Sequence, residues 1–438
     1  MMAGDLLLSY YGDDFTGSTD VMEALTSNGV ETVLFTRKPG EALLARFAGC
    51  RAMGLAGTSR SRSPDWMDAE LPQVFTWLKS LGARFCHYKV CSTFDSAPHR
   101  GSIGRAMEIG LAAFGQHRLA LVVGAPQLRR YTFAGHLFAA WRDTLHRIDR
   151  HPVMANHPAT PMGEADLLLH LAAQTSLPSA LVGPTDPALG QALPDEARIV
   201  LFDVFDKASQ AAAGAWLEDA ARQNGPLVFG SSGIEYALLE AWRQSEAGVR
   251  PMRFEPLVPQ ERMAVVSGSC SPTTERQIRT ALGAGFTGIE IDYAALASGQ
   301  GREAAFETVL ARAEGVLSAG GSPLVYTALG QSSVVASGQN QGGDDAVGEA
   351  LGRLLAALLA RHGLARVAVA GGDTSSHALG ALDIHALTLR HPISDSPGSP
   401  VCNAHGADEE PGVELILKGG QIGKDDYFVR LRDGTLTV

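Results

Sequence analysis

Short, almost continuously apolar segments recur along this chain, and their recurrence constrains the fold more than any other feature. Each segment has the length of a strand, and a turn of small or polar residues and then a helical stretch usually follow it. Strands that are apolar on both faces and alternate with helices predict a parallel sheet covered by helices on both sides. The segments in the first part of the chain are Leu6–Tyr11, Ala52–Ala56, Phe85–Val90, Leu119–Gly124, Ala180–Val182, Ile199–Val204 and Leu227–Gly230. The sequence therefore predicts an α/β domain.

The start of the chain shows the pattern in detail. Leu6–Tyr11 predicts a strand and Gly12–Ser18 predicts a turn. Asp20–Ser27 predicts a helix, and Val30–Phe35 predicts the next strand. We therefore expect a βαβ unit here.

A second domain is predicted after a break in the pattern. Between Arg253 and Arg262 two prolines and alternating charges favour an extended linker. A chain of 438 residues is also long enough for two or three domains of about 150 residues. We expect two domains, residues 1–252 and 263–438, each a mainly parallel sheet flanked by helices. The later strands are predicted at Ala264–Ser267, Gly288–Ile291, Leu324–Thr327, Arg366–Ala370 and Leu415–Leu417, with a helix at Val347–Arg361.

The charge balance limits the classes of partner. The chain has 36 basic and 47 acidic residues, a net charge of −11, so its field repels nucleic acid and anionic membrane surfaces. A small anionic substrate is still allowed, because a few local cations act within a screening length of about 10 Å. The five scattered cysteines lack CxxC spacing and favour a reducing compartment. Without a basic leader or an apolar run of membrane length, we expect a cytoplasmic protein that binds neither nucleic acid nor membrane.

Two adjacent carboxylates follow the first predicted strand. Asp13 and Asp14 lie in the turn GDDFTGSTD, at the strand end where parallel sheets bind ligands. A carboxylate there can take a proton from a sugar hydroxyl as it attacks phosphorus. The alternative is that one aspartate caps the following helix and the other is exposed. The residues alone leave both interpretations open.

Cations follow two later strands of the same domain. Arg60 lies in Thr58-Ser59-Arg60, Lys89 ends a strand shortly before Ser92, and Arg100 comes next along the chain. Arginine can bind a carboxylate through two parallel hydrogen bonds, and lysine supplies a point charge to an anion. These residues are candidates for binding an acidic sugar. Solvated surface charge and helix capping are the alternative.

Three strand-to-glycine turns occur in the second predicted domain. Backbone N–H groups in such turns, aided by a helix dipole, can bind phosphate. Together the three turns suggest a nucleotide-phosphate site, although glycines at strand-to-helix turns also serve close packing alone. The candidate residues are Ser269, Ser271, Gly371, Gly372, Asp373, Thr374, Ser375, Gly419 and Gly420.

Common short fingerprints are absent from the sequence. It contains no GxxxxGK[ST], no GxGxxG after a strand, no GxSxG and no HExxH. His151 and His157 do not have zinc-ligand spacing. Ser337–Asp345, SGQNQGGDD, predicts a surface loop that could cover a site or only connect elements.

The ordered set of motifs resembles the four-carbon acid sugar kinase family over essentially the whole chain. In the first domain the resemblance rests on GDDFTGSTD, on TSRS at Thr58–Ser61, on the strand end at Lys89, on Gly135-His136, and on HPATPMGEADL at His157–Leu167. In the second domain it rests on SGSCSPTTERQI, GGDTSS and LKGGQIG. The order and spacing of so many motifs are far more specific than any one of them.

The resemblance implies ATP-dependent phosphorylation of a terminal hydroxyl on a short sugar acid such as threonate, erythronate or 3-oxo-tetronate. It implies that the first domain binds the acid, the second binds Mg-ATP, and the active site lies in the cleft between them. It assigns Asp13, Asp14, Arg60 and Lys89 to the acid site and the glycine-turn residues to the nucleotide site. With Asp14 as the base and Asp13 as its orienting or metal-linked neighbour, Arg60 and Lys89 would hold the substrate carboxylate.

The chain departs from the family at one motif. Many members read K-[IV]-D-S-T-L-R-G after the strand, whereas here Cys91 replaces the aspartate and Asp95 replaces the arginine. Arg100 is a candidate for restoring the lost cation. The departure favours the oxo-acid branches, 3-oxo-tetronate or 3-oxo-isoapionate, with a weak preference for the second.

Two other classes of function stay open on the residues alone. One is a two-lobed sugar-acid sensor without catalysis, which ligand-dependent ADP release would exclude. The other is a nicotinamide-dependent dehydrogenase, which the missing glycine fingerprint disfavours. A homodimer is also compatible with the sequence.

Overall fold

The computed structural model describes residues 6–157, 159–183, 193–245, 249–298, 301–330, 344–407 and 412–437. Most of the loop predicted at Ser337–Asp345 therefore lies outside the described residues, and its last two residues begin a helix. Within the described chain no helix is both long enough and apolar enough to cross a membrane.

Strands and helices alternate along most of the chain. The strands are β1 Leu8–Gly12, β2 Thr32–Phe35, β3 Ala52–Ala56, β4 Phe85–Lys89, β5 Leu119–Val122, β6 Arg130–Phe133, β7 His136–Trp141, β8 Thr144–Arg147, β9 Ser179–Val182, β10 Ile199–Phe202, β11 Leu227–Gly230, β12 Ala264–Ser267, β13 Phe286–Glu290, β14 Ser322–Tyr326, β15 Arg366–Ala370, β16 Ala386–His391, β17 Val401–His405 and β18 Val413–Lys418. The helices are α1 Phe15–Ser27, α2 Glu41–Arg46, α3 Pro64–Ser80, α4 Ile103–Phe114, α5 Leu167–Ala172, α6 Lys207–Asn224, α7 Gly233–Gln244, α8 Pro272–Gly283, α9 Tyr293–Ser298, α10 Arg302–Ser318, α11 Asp344–His362, α12 Gly372–Ala381 and α13 Tyr427–Asp433.

The chain divides into two compact units. Residues 1–32 and 48–252 form the first, and residues 33–47 and 253–438 form the second. The second unit thus includes a short segment from near the start of the chain. A division at the linker alone, between residues 252 and 263, does not account for this segment.

The first unit is built on a parallel sheet. Its strands lie in the order β3-β1-β4-β11-β5-β10-β9, and every pair is parallel. The core strands are buried on both faces, which explains their almost continuous apolar sequences. A separate antiparallel sheet, β6-β7-β8, follows β5 and was not predicted.

The strand, helix and strand predicted at the start of the chain are present, but the expected βαβ pairing of the two strands is wrong. Strand β2 pairs antiparallel with β16 of the second unit, with Phe35 opposite Ala386. Strand β1 instead has the parallel neighbours β3 and β4. Local sequence could not show this, because pairing between distant segments is set by the tertiary fold.

Helix α1 begins within the predicted turn Gly12–Ser18. Asp14 is its N-cap, and the first helical residue is Phe15. Both carboxylates therefore lie at the junction of strand and helix, a tighter connection than the sequence predicted.

The second unit has a mixed sheet. Strands β13-β14-β12-β15-β18 are parallel, and β17, β16 and β2 continue the sheet in antiparallel fashion. Its core packs apolar residues of these strands against α8 and α13, among them Val265, Ile278, Leu324, Ile416 and Phe428. The predicted α/β class with mainly parallel sheets flanked by helices is thus confirmed.

Candidate active site

Asp14 is fully engaged by its neighbours at the carboxyl end of β1. Its Oδ1 accepts the Gly17 N–H at 2.8 Å, and its Oδ2 accepts the Thr16 hydroxyl at 2.7 Å. The same Oδ2 lies 2.9 Å from Nη2 of Arg60. The carboxylate both caps α1 and forms an ion pair, so its two oxygens already have donors.

Asp13 differs sharply from its neighbour. Its N–H donates to the Lys89 carbonyl at 2.9 Å, and its carbonyl accepts the Arg60 N–H at 3.1 Å, so the backbone is fixed from two sides. The side chain is only 4% exposed, and its Oδ1 has no hydrogen-bond partner among the described residues. Burial raises the pKa of Asp13 to about 7, although the charge of Arg60 opposes the shift. A buried carboxyl of this kind can accept a proton near neutral pH.

Lys89 ends β4, directly beside the end of β1. It is 2% exposed, and its Nζ donates to the Val90 carbonyl at 2.9 Å. Burial acts to lower the pKa of Lys89, but the carboxylates nearby, above all Asp20, raise it beyond its ordinary value. Asp20 is itself buried and accepts a hydrogen bond from the Ser232 hydroxyl. Lys89 is therefore a buried cation with carboxylates close to it.

The replaced family positions lie in the same cluster. Asp95 is buried, accepts the Thr93 hydroxyl at 2.6 Å and accepts the Thr160 hydroxyl at 3.2 Å. Burial would raise the pKa of Asp95, but the charge of Arg60 and the hydrogen bond from Thr93 lower it overall, so the carboxylate is charged. Burial raises the pKa of Cys91 to about 11, so its thiol is neutral at pH 7.

Arg60 is surrounded by carboxylates as a result. Burial acts to lower the pKa of Arg60, but Asp14, Asp95 and Asp13 raise it well above its ordinary value. The guanidinium thus already has anionic partners within the protein.

The remaining predicted acid-site residues lie on adjoining loops. Ser92 is half-buried next to Cys91. Arg100 precedes Gly101, where a Cβ would lie 2.4 Å from the Arg60 carbonyl oxygen, so the two loops are in close contact. The Arg100 Nε is buried and has no partner among the described residues.

Two residues near this cluster were not predicted as site residues. Thr160 lies in the HPATP segment and binds Asp95, as given above. Arg130 begins β6; burial lowers its pKa, and the nearby Cys91 opposes the shift. The histidine-proline motif could have indicated the first, but nothing in the sequence indicated the small sheet that positions the second.

Three glycine turns meet in the second unit, because β12, β15 and β18 are neighbours in its sheet. The Gly268 N–H donates to the Ala370 carbonyl at 3.1 Å, and the Gly371 N–H donates to the Lys418 carbonyl at 2.8 Å. A Cβ on Gly268 would lie 2.2 Å from the Thr374 Oγ1, and one on Gly420 would lie 3.0 Å from the Ser269 Oγ. The turns thus touch one another, and larger residues would not fit there without movement.

The two predicted serines organise the start of α8. The Ser271 hydroxyl accepts the Thr274 N–H at 3.0 Å and donates to the Gly420 carbonyl, and the Ser269 hydroxyl accepts the Ser271 N–H at 3.3 Å. The hydrogen bonds of Ser271 connect the first turn of the helix to the third glycine turn.

The GGDTS turn opens helix α12. Gly371 has a φ of 119°, and Gly372 begins the helix. The Ser375 hydroxyl donates to the Gly371 carbonyl at 2.7 Å, so Ser375 stabilises this turn. The side chain of Asp373 lies outside the described part of the structure.

A buried lysine lies beneath these turns and was not predicted as a site residue. Lys418 is 0% exposed, and its Nζ donates to the Thr274 hydroxyl at 3.1 Å and to the Gly419 carbonyl at 2.8 Å. Among the described side chains no carboxylate lies within 4.0 Å of it. Burial lowers the pKa of Lys418 to about 7. The Lys418 side chain thus connects the first turn of α8 to the third glycine turn.

Family models match both units. A sugar-binding N-terminal domain matches residues 8–238, and a nucleotide-binding C-terminal domain matches residues 264–428. The fold and these two matches therefore define a two-domain protein with a sugar-binding domain and a nucleotide-binding domain.

Similar full-length proteins identify the family. The chain is 43% identical to a 3-oxo-isoapionate kinase of Paraburkholderia graminis, over 98% of this chain and 95% of the relative. It is 32% identical to a 3-oxo-tetronate kinase of Cupriavidus necator, over 98% of each chain. The chain belongs to the four-carbon acid sugar kinase family, which confirms the resemblance seen in its motifs.

A solved structure has the same fold. A Salmonella typhimurium LT2 protein, described as a tRNA synthase, is 27% identical and superposes with a TM-score of 0.75 over 97% of this chain and 98% of its own. That description belongs to the Salmonella protein, and the likeness supports the α/β fold found here.

Proposed function

We propose that this chain transfers the γ-phosphoryl group of ATP to a terminal hydroxyl of a short oxo sugar acid, with 3-oxo-isoapionate as the preferred acceptor. The observation that carries the proposal is Asp13, a buried carboxyl with an unpaired oxygen in a unit that matches a sugar-binding domain. The kinase names of relatives that share nearly the whole chain support the reaction class.

Asp13 is the proposed general base. A base needs an oxygen that can receive a proton and a pKa near the working pH, and Asp13 has both. The sequence-based choice was Asp14, but its two oxygens are occupied by the helix cap, by Thr16 and by Arg60. In this proposal Asp14 positions Arg60 and the start of α1, and Asp13 takes the hydroxyl proton.

Arg60 and Lys89 set the electrostatics of the acid site. Their positive charges are close to Asp13, Asp14 and Asp20. They therefore reduce the electrostatic repulsion between these aspartates and a bound substrate anion. Ser92 and Arg100, on loops beside them, are proposed contacts for the sugar acid.

The glycine turns of the second unit are the proposed phosphate site. A Cβ at Gly268 or Gly420 would meet the Thr374 or Ser269 hydroxyl oxygen, so glycine at these positions lets the three turns and their hydroxyl groups pack closely together. A cluster of such turns at the ends of parallel strands is typical of phosphate sites. We assign Gly371, Gly372, Thr374, Gly419 and the two serines of the α8 turn to this role. Asp373 is assigned from the motif alone, and Ser375 supports the turn through its bond to Gly371.

Mg²⁺ is proposed to arrive with the triphosphate. In the described residues no group of three His, Cys, Asp or Glu side chains is placed to hold a metal ion, which fits an ion that keeps water and phosphate ligands. When bound, it neutralises the charge that develops on the transferred group.

The preference for 3-oxo-isoapionate rests on two observations. The similarity is higher to the 3-oxo-isoapionate kinase, at 43%, than to a 3-oxo-tetronate kinase, at 32%. The second observation is the change of charge at Cys91 and Asp95, which places a neutral thiol and a charged carboxylate where many family members have an aspartate and an arginine.

A panel of acids tests the proposal. Purified protein is assayed for ADP release with Mg-ATP and 3-oxo-isoapionate, 3-oxo-tetronate, threonate and erythronate. We expect saturable ADP release, with the highest kcat/KM for 3-oxo-isoapionate. ADP release that no acid stimulates would refute the kinase, and a higher kcat/KM for threonate would refute the oxo-acid preference.

A further inference from the structure

A substrate carboxylate needs a cation that the protein has not already neutralised. Arg60 lies 2.9 Å from Asp14 and is also influenced by Asp95 and Asp13. Lys89 has Asp20 and Asp13 as its main charged neighbours. Neither side chain offers an uncompensated charge, so the acid requires another partner.

Arg130 occupies the correct end of the sheet. It exchanges backbone hydrogen bonds with Ala125, at 2.9 and 3.1 Å, and Ala125 follows the carboxyl end of β5. Strand β5 is next to β11, which is next to β4, the strand that leads to Cys91. The loop of residues 124–130 thus lies at the same end of the sheet as Asp13 and Lys89, the end where the parallel strands terminate.

The guanidinium of Arg130 is held on one side only. Its Nη1 donates to the carbonyls of Leu128, Arg129 and Ala140 at 3.1, 3.3 and 3.4 Å. Its Nε is buried and has no partner among the described residues, and Nη2 donates to none of them. The Nε and Nη2 edge, which pairs bidentately with carboxylates, therefore has no protein acceptor in the described structure.

The charge environment of Arg130 is also unusual. No carboxylate of the described residues lies within 4.0 Å of it. Burial lowers the pKa of Arg130, and the nearby Cys91 is the main group that opposes the shift. Arginine stays protonated in proteins, so the Arg130 guanidinium is a partly buried positive charge without a compensating anion among the described residues. The neutral Cys91 thiol leaves that charge available, whereas an aspartate at the same position would compensate it.

We propose that Arg130 binds the carboxylate of the sugar acid and that Cys91 keeps this arginine unpaired. The assignment rests on the proposed function and adds the residue that recognises the acid group. It makes Arg130 a substrate-binding residue and leaves Arg60 as a partner of Asp14 and Asp95.

The test compares an acid with its neutral carboxamide. In wild-type protein we expect KM for 3-oxo-isoapionate to be at least tenfold lower than KM for the corresponding carboxamide. Arg130→Gln should raise KM for the acid at least tenfold, leave KM for the carboxamide within twofold, and leave KM for ATP unchanged. Arg130→Lys should recover part of the preference for the acid over the carboxamide, because lysine keeps the positive charge but cannot form two parallel hydrogen bonds to a carboxylate.

Arg129→Gln is the matched control, since the neighbouring Arg129 is exposed and donates to the Arg142 carbonyl. Arg129→Gln should leave KM for the acid, for the carboxamide and for ATP within twofold of the wild-type values. An Arg130→Gln protein that keeps the wild-type preference for the acid, or that loses acid and carboxamide binding equally, would overturn the assignment. The assignment would also be overturned if Arg100→Gln, and not Arg130→Gln, raised KM for the acid selectively.

Calorimetric titration separates this assignment from the proposed function. If the wild type binds the acid but releases no ADP, the kinase proposal fails, and the titration still decides the role of Arg130. Tenfold weaker binding of the acid by Arg130→Gln supports the role, and unchanged binding overturns it.

Discussion

The proposed acid site and the proposed phosphate site both lie at the carboxyl ends of parallel strands, but they are built from different groups. In the first unit, five buried or half-buried charged side chains surround the end of β1: Asp13, Asp14, Arg60, Lys89 and Asp95. In the second unit, the turns after β12, β15 and β18 present glycines and hydroxyls, with the buried Lys418 beneath them. Charged side chains line the first proposed site, and glycines and hydroxyl groups line the second.

The difference follows from what each site has to distinguish. Short sugar acids differ in a few oxygen atoms, and side chains of different charge and shape can discriminate among them. A triphosphate is the same in every reaction of this type, and N–H groups fixed by glycine turns suffice to bind it. We therefore expect variation at positions such as Cys91 and Asp95 to change the acceptor while the glycine turns stay as they are.

The largest expected effect is on Asp13. Asp13→Asn removes the proposed base, so kcat should fall by about 10² to 10⁴-fold, while the affinity for ADP should be unchanged. Steady-state kinetics and calorimetry of ADP binding measure the two quantities.

Asp14→Asn is the control for Asp13→Asn, because asparagine is also a good helix cap. Its effect on kcat should be smaller than that of Asp13→Asn. In the wild type, kcat/KM should rise with pH through about 7, since the deprotonated Asp13 is the active form. A larger loss in Asp14→Asn than in Asp13→Asn would restore Asp14 as the base.

An intermediate effect is expected at the second site. Gly371→Ala places a Cβ 2.8 Å from the Thr374 Oγ1 and forces alanine into a φ of 119°, so the turn has to change shape. We expect ADP to bind at least tenfold more weakly and the acid to bind as in the wild type. Calorimetric titration of both ligands measures this.

Gly380→Ala is the matched control in the same helix, where an added Cβ has nothing within 4 Å. Its affinity for ADP should equal that of the wild type. A Gly371→Ala protein with wild-type thermal stability and wild-type ADP affinity would contradict the proposed phosphate site.

The last effect concerns the pH dependence of stability and comes from Lys418. Its pKa of about 7 in the folded protein lies below that of a lysine in an unfolded chain, about 10.4, so the unfolded chain binds more protons between these values. This contribution to the free energy of unfolding is therefore least favourable below pH 7 and improves as pH rises, by at most about 1.4 kcal/mol per pH unit. Lys418→Met lacks the charge and should lose this pH dependence.

Thermal unfolding from pH 6.5 to pH 9.5 measures the difference between wild type and Lys418→Met. Lys424→Met is the control, because Lys424 is exposed and pairs with Asp395 at 2.8 Å. The advantage of Lys418→Met over the wild type should be largest at pH 6.5 and should shrink as pH rises. A constant difference over this range would contradict the low pKa of Lys418.

Local sequence predicted what local interactions determine. The apolar runs predicted the parallel strands of both units. In the second unit, the glycine turns that follow three of these strands lie together in the structure, as expected. Adjacent aspartates and two cations were also found together around the end of β1.

What the sequence did not predict depends on contacts between distant segments. The pairing of β2 with β16 joins residues 33–35 to residues 386–388, and no local pattern encodes it. Asp13 and Asp14 are adjacent in sequence, yet only the three-dimensional surroundings make one a capped, paired carboxylate and the other a buried acid with an unpaired oxygen. Arg130 and Lys418 became candidates only when burial without a carboxylate partner could be seen.

Phosphorus NMR of the complete reaction tests the central claim most directly. With Mg-ATP and 3-oxo-isoapionate, the account predicts a new phosphomonoester signal that grows in equal amount with ADP and is absent with Asp13→Asn. ADP formation accompanied only by inorganic phosphate, or an equal phosphomonoester signal with Asp13→Asn, would contradict it.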